Sequence, residues 1–291
     1  MMNGLILKGI GSFYTIKADD GAEYTCKARG RFRIEGITPL PGDRVEFEPD
    51  GENGFITSIK ARKNVLVRPA VANLDKLIIV VSANLPRPDL LLADKLLVSC
   101  EFIGIEPIIV INKCDAPREV DRIESEYKKT GYRIVRASAI RKSGVDELRH
   151  QIEGCISCFA GQSAVGKSSL MNALVPWAAM DTGELSRKTD RGRHTTRHAE
   201  LIMLDKNTAL VDTPGFSLLD IDITESTKLA GAYPEMRGSL GKCRYQDCLH
   251  ISEPDCDVKR AVAEGRISEG RYERYKILMN DIKELRKHRY D

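Results

Sequence analysis

The feature that most constrains this chain is an eight-residue stretch, Gly161, Gln162, Ser163, Ala164, Val165, Gly166, Lys167 and Ser168, which fits G-x-x-x-x-G-K-[ST]. It follows the apolar run Cys155 to Ala160 and precedes a helical pattern that opens near Lys167, the strand, loop and helix setting such a loop requires. Its glycines let backbone N–H groups turn inward as an anion nest, Lys167 reaches the β and γ phosphates, and Ser168 offers a hydroxyl to Mg²⁺. Ser169, next in the helix, is grouped with these nucleotide contacts. An ordinary glycine-containing turn is the plainer reading, and the flanking elements argue against it. A chain built around this loop is expected to hold a mostly parallel, doubly wound α/β sheet.

The rest of the chain divides by texture. Residues 1–68 alternate short β-rich runs, Leu5 to Ile10, Phe13 to Lys17, Glu23 to Lys27, Arg44 to Glu48 and Phe55 to Ile59, with turn signals at Asp20-Gly21, Pro41-Gly42 and Asp50-Gly51. Five strands and no helix read as a small OB-type barrel. Residues 69–220 alternate apolar strands (Leu77 to Val81, Pro107 to Ile111, Arg133 to Ala137, Cys155 to Ala160) with helices over Asp89 to Ile103, Arg118 to Lys129 and Val145 to Ile152. Two further strands, Ala199 to Leu204 and Thr208 to Val211, finish this block, and residues 221–291 hold a cysteine cluster and a long polar helix.

Hydrophobic residues make up 42% and charged residues 30%, which is globular composition. Lys plus Arg total 45 against 42 Asp plus Glu, and the net charge of +3 is too small to argue for a nucleic-acid partner without local clusters. Leu77 to Val81 falls far short of the roughly 20 residues that span a bilayer, and the amino terminus carries no secretory pattern, so a cytoplasmic protein is expected. In that compartment the eight cysteines read as thiols or metal ligands. Cys155 and Cys158 resemble a C-x-x-C pair, but on a strand leading to the phosphate loop they read as inert core thiols.

Three short motifs accompany the phosphate loop. Asp212-Thr-Pro-Gly215 ends a strand, so that Asp212 faces the Mg²⁺ shell and Gly215 can present its N–H to a γ-phosphate. Asn112, Lys113, Cys114 and Asp115 follow another strand. A carboxylate only accepts hydrogen bonds, so Asp115 suits the imino and amino edge of guanine, whereas adenine would oppose an unprotonated nitrogen to it. Ser138 and Ala139, at the end of the next strand, form a third loop with backbone N–H groups for the guanine oxygen. Between phosphate loop and Asp212 lies Arg187 to Arg197, five basic residues against one acidic. It reads as a switch segment, with Thr196 joining Mg²⁺, Thr195 the less favoured candidate, and a solvated basic loop the plainer alternative. Cys243, Cys248, His250 and Cys256 supply three thiolates and one imidazole within fourteen residues, a closed tetrahedral set for one structural Zn²⁺.

The order of these motifs is unusual. Base-recognition motif, second base loop, phosphate loop, switch threonines and then D-T-P-G is a circular permutation of the usual arrangement. With the amino-terminal barrel and the carboxyl-terminal zinc set, the chain resembles the small ribosomal subunit biogenesis GTPases of the RsgA (YjeQ/YloQ) family. That resemblance implies a Mg²⁺-dependent GTPase that hydrolyses GTP to GDP and phosphate in late maturation of the small (30S) subunit, with rRNA as partner and hydrolysis stimulated by the subunit. Phe216 stands where many GTPases carry a glutamine, so the water-positioning group is expected from His194 or from the partner, alongside Lys167 and Thr196. Ala164 replaces the asparagine through which some such GTPases hold potassium. The permutation sends the segment after Gly215 straight into the carboxyl-terminal region, where it is expected to relay nucleotide state. A monomer suffices. The competing readings are an RNA-binding assembly factor that uses GTP only as a conformational clamp, and an ATPase.

Overall fold

The computed structural model describes residues 1–67, 69–116, 118–177, 199–212 and 226–290. These fall into two compact units: Met1–Ile78 with Val145–Ala160 and Lys167–Leu219, and Ile79–Gly144 with Gly161–Gly166 and Asp220–Asp291.

The first unit opens with the barrel. Its strands are β1 (Met2–Ile10), β2 (Phe13–Ala18), β3 (Glu23–Ala28), β4 (Arg44–Asp50) and β5 (Asn53–Ile59), with a short helix α1 (Gly30–Ile34) between β3 and β4. Pairing runs β1–β2–β3–β5–β4, antiparallel except for β3–β5, and closes where β4 meets β1 from Met2↔Phe47 to Leu5↔Arg44. The period-two pattern explains the core: Tyr14, Ile16 and Ala18 point inward from β2 and meet Ile6, Cys26, Val45, Phe47 and Ile56. The expectation of no helix in this region is corrected by α1. Five residues are too few for apolar periodicity to register, yet its Phe32, 4% exposed, closes the barrel core.

A small antiparallel pair, β6 (Val65–Val67) and β7 (Ala70–Ala72), follows, and β8 (Lys76–Ser82) begins in the first unit and continues into the second. The second unit carries α2 (Leu90–Ile103), β9 (Glu106–Asn112), α3 (Val120–Tyr127) and β10 (Arg133–Arg136), with strand order β10–β9–β8 and β9 parallel to β10. Asp89 caps α2 by accepting the Leu92 N–H at 2.9 Å, and Gly104 in the left-handed conformation ends it. Back in the first unit lie α4 (Val145–Gln151), β11 (Ile156–Ala160), α5 (Lys167–Leu174), β12 (Glu200–Met203) and β13 (Ala209–Asp212). Strand β13 is parallel to β11 and antiparallel to β12, and β12 pairs with barrel strand β1 at Lys8↔Glu200.

The second unit ends in two 3-10 turns, Ser226–Ala232 and Pro234–Ser239, then α6 (Asp257–Ala263) and α7 (Glu269–Tyr290). The single helical pattern over this tail is broken after α6, where Gly265 takes φ 68° and the Arg266 N–H donates to the Ala261 carbonyl. Tyr233, Met236, Val258, Tyr275 and Met279 form its core with Val98 of α2. Within that core Arg271, fully buried, pairs with Asp94 at 2.7 Å and Glu235 at 2.7 Å, and Arg274 reaches Asp94 at 2.6 Å. No helix among the described residues is long and apolar enough to cross a membrane.

Candidate functional site

In the second unit the base-recognition motif and the phosphate loop are bolted together. Asn112, 1% exposed at the end of β9, donates through Nδ2 to the Val165 carbonyl at 2.9 Å. Lys113, at φ 65°, sends Nζ to the carbonyls of Ala164 at 2.7 Å and Leu85 at 2.5 Å. Two glycines make this approach possible. A Cβ on Gly161 would sit 2.4 Å from the Val80 carbonyl oxygen, and one on Gly166 would sit 2.4 Å from Asn112 Nδ2. Both also take positive φ, as does Ala164 at 62°, which turns the loop backbone back on itself.

Asp115 accepts a hydrogen bond from the Ser138 hydroxyl at 2.5 Å. That bond, first among the causes, holds the Asp115 carboxyl below its ordinary range, so a charged acceptor stands where the base edge is expected. Cys114, between Lys113 and Asp115, places its N–H on the Ala137 carbonyl, and burial raises its thiol. The Ser138 N–H donates to the Ser143 carbonyl, and the Ala139 N–H points at Asn112 Oδ1 at 3.4 Å, so in this structure both backbone donors of the third loop face protein. The Ser138 hydroxyl is the contact that spacing did not reveal: a residue 23 positions from Asp115 meets it only because β10 lies beside β9.

The first unit holds the remaining phosphate-site candidates. Lys167, Ser168 and Ser169 open α5. Burial lowers the Lys167 ammonium, an environment that favours a nearby anion. Asp212 ends β13 directly opposite Glu200, which in turn pairs with Lys8 at 2.5 Å. Burial raises the Asp212 carboxyl, Glu200 adds to the rise and Lys8 opposes it. Neither Glu200 nor Lys8 carries a sequence signal, because cross-strand register creates the contact. His194, Thr195, Thr196, Gly215 and Phe216 lie outside the described residues. No disulfide joins Cys155 and Cys158; Cys158 is buried in β11, while Cys155 is half-buried just before it.

The four cysteine and histidine donors of the tail converge, all within 4.8 Å of one another, and could hold a metal ion. Cys243 Sγ and Cys256 Sγ are 3.8 Å apart, and His250 Nδ1 is 3.4 Å from each. Two sulfurs at about 2.3 Å from a tetrahedral ion would be separated by about 3.8 Å. Burial lowers the His250 imidazole, which favours the neutral form that ligates. A second layer fixes the loop: Glu253 accepts the N–H groups of Leu249 and Ile251, and the hydroxyls of Tyr272 and Tyr275 donate to the carbonyls of His250 and Leu249 at 2.8 Å.

A phosphate-loop fold in which the base-recognition strand precedes the phosphate loop, with a closed five-stranded barrel ahead of both, defines a circularly permuted GTPase. Residues 59–222 match the RsgA GTPase family and residues 3–56 match the RsgA N-terminal domain. The small ribosomal subunit biogenesis GTPase RsgA of Ruminiclostridium cellulolyticum is 42% identical over 98% of this chain and 95% of that protein. Its namesake in Moorella thermoacetica is 44% identical over 97% of each. Among solved structures, YjeQ from Thermotoga maritima superimposes with a TM-score of 0.84 at 35% identity, covering 97% of this chain and 98% of that one. YloQ, described as a circularly permuted GTPase, gives 0.83 at 33%, covering 98% and 96%. The chain belongs to the RsgA GTPase family.

Proposed function

We propose that this chain hydrolyses GTP to GDP and phosphate in late maturation of the small (30S) ribosomal subunit, binding its rRNA and responding to it with faster turnover. The observation that carries the reading is the ionised Asp115, held by Ser138 in a loop that Asn112 and Lys113 fasten to the phosphate loop. A charged acceptor rejects adenine and pairs with the two donors of guanine.

In this reading Asn112, Lys113, Cys114, Asp115, Ser138 and Ala139 surround the base, and Gly161 to Ser169 with Thr195 and Gly215 surround the phosphates. Mg²⁺ would be held by Ser168, Thr196 and Asp212, and would offset phosphate charge. The half-buried Lys167 stabilises charge on the β and γ phosphates, and His194 orients the attacking water. The Cys₃His set holds one structural Zn²⁺, which the sulfur separation and the depressed imidazole both favour. The protein is divided into a barrel module (1–68), a GTPase module (69–220) and a zinc module (221–291), and works in the cytoplasm as a monomer.

The barrel surface supports an RNA partner. Ile10, Phe13, Lys27, Phe55 and Glu48 lie in one cross-strand row through all five strands, with Phe13 49% and Phe55 45% exposed. Lys27 Nζ lies 4.8 Å from the Phe13 ring centre, and Arg29 neutralises Glu48. Half-exposed rings flanking a cation suit stacked bases and a phosphate backbone. Replacing both rings by alanine should weaken single-stranded RNA binding about tenfold or more, measured by fluorescence anisotropy, with GTP binding unchanged.

The direct experiment is GTP hydrolysis with and without small subunits, using large subunits and free RNA as controls. Stimulation confined to small subunits is expected. Tight GTP binding with no stimulation by any of them would overturn the ribosomal assignment.

A further inference from the structure

An open pocket of about 380 Å³ lies in the second unit between the loop after β8 and the start of α3, lined among others by Asn84, Arg87, Arg118, Glu119 and Arg122. Arg122 is engaged by Glu119. The guanidinium groups of Arg87 and Arg118 are exposed and have no side-chain partner among the described residues. Among the described residues the lining holds no aromatic ring on which a base could stack. Its chemistry suits phosphate groups carried by a chain, as in an RNA backbone, better than a free nucleotide.

Both walls of the pocket are fastened to the base-recognition motif. The Ala83 carbonyl accepts the backbone N–H groups of Arg118 and Glu119, while the Ala83 N–H donates to the Asn112 carbonyl. On the other wall the Leu85 carbonyl accepts both Lys113 Nζ and the Ser82 hydroxyl. Lys113 is thus shared between this wall and the phosphate loop, through Ala164.

We infer that Arg87 and Arg118 form a second phosphate-binding site, for the backbone of RNA, whose occupancy is coupled to guanine-nucleotide affinity through Ala83 and the Lys113–Leu85 contact. The inference rests on the RNA-binding reading above and adds where on the GTPase fold RNA acts on the nucleotide. Coupling of this kind is reciprocal: RNA changes nucleotide affinity by the factor by which nucleotide changes RNA affinity.

The test titrates a fluorescent GDP analogue into the full chain with and without a saturating single-stranded RNA, for wild type, R87A/R118A and R87K/R118K. Wild type should show a shift of about fivefold or more in nucleotide affinity, lost in the alanine pair and kept at least in part by the lysine pair. In RNA titrations against salt, the alanine pair should lower the logarithmic slope by about 1.4, or about 0.7 per lost phosphate contact. Nucleotide affinity without RNA should match wild type in both variants, which verifies the fold. An unchanged salt slope, or an RNA-induced shift that survives in R87A/R118A, would overturn the site, while wild-type RNA binding would leave the broader reading standing. If the wild type binds no RNA at all, both fail together. If inorganic pyrophosphate alone reproduces the shift at comparable concentration, a free phosphate ligand replaces the RNA backbone and the inference as stated is wrong.

Discussion

Asp115 meets the Ser138 hydroxyl at 2.5 Å, and the bond favours the ionised carboxyl. A carboxyl held low stays charged above its pKa and loses its charge as pH falls through it. Ser138→Ala should therefore raise the Asp115 pKa, so that guanine-nucleotide affinity, titrated from about pH 7 downward, begins to fall at higher pH than in wild type. Asp115→Asn should weaken GTP about a hundredfold or more at neutral pH, with xanthosine triphosphate rescuing the loss. ATP gaining instead would contradict guanine recognition by this residue. At this scale the sequence spoke clearly wherever chemistry sits in consecutive residues: Asn112 to Asp115, Gly161 to Ser168 and the cysteine and histidine set are contiguous or nearly so. It was silent on Ser138 as a charge-holder, and on Glu200 and Lys8 beside Asp212, because those contacts exist only across paired strands.

Elements too short to show a period are the ones the sequence hides. The helix α1 spans five residues, and its inward side chain Phe32 fills the barrel. Phe32→Ala should cost the barrel about 3 kcal/mol, read as a lower denaturation midpoint, because the remaining strands cannot close over the space the ring leaves. A change within experimental error would mean that α1 decorates the barrel instead of completing it. Among the longer elements α2 was legible to within a residue: it begins after its Asp89 cap and ends at Gly104, where a helical apolar face and a glycine mark both limits, whereas α3 is two residues shorter at each end than its pattern suggests. The break after α6 is signalled in the chain by Gly265, though the apolar pattern resumes so soon that the two helices read as one.

At the scale of the whole molecule, Asp94 gathers partners from distant parts of the chain: the guanidinium groups of Arg271 and Arg274 from α7, and the Tyr127 hydroxyl from α3, which donates to it at 2.9 Å. Asp94→Ala would leave the fully buried Arg271 with Glu235 as its one carboxylate among the described residues and should cost about 3–5 kcal/mol in chemical denaturation, together with faster proteolysis of α7. Asp94→Asn, which keeps the shape, should lose less. No spacing rule links Asp94 to residues 177 and 180 positions away, whereas the permutation was legible because it is a matter of order alone. Order also conceals a seam. Strand β1 pairs with β2 and β4 inside the barrel and with β12 outside it, although nearly two hundred residues separate Lys8 from Glu200. A chain cut near residue 68 would leave each fragment with an unsatisfied strand edge matched to the other. Such halves, expressed apart and mixed, should associate in trans, which co-purification would check.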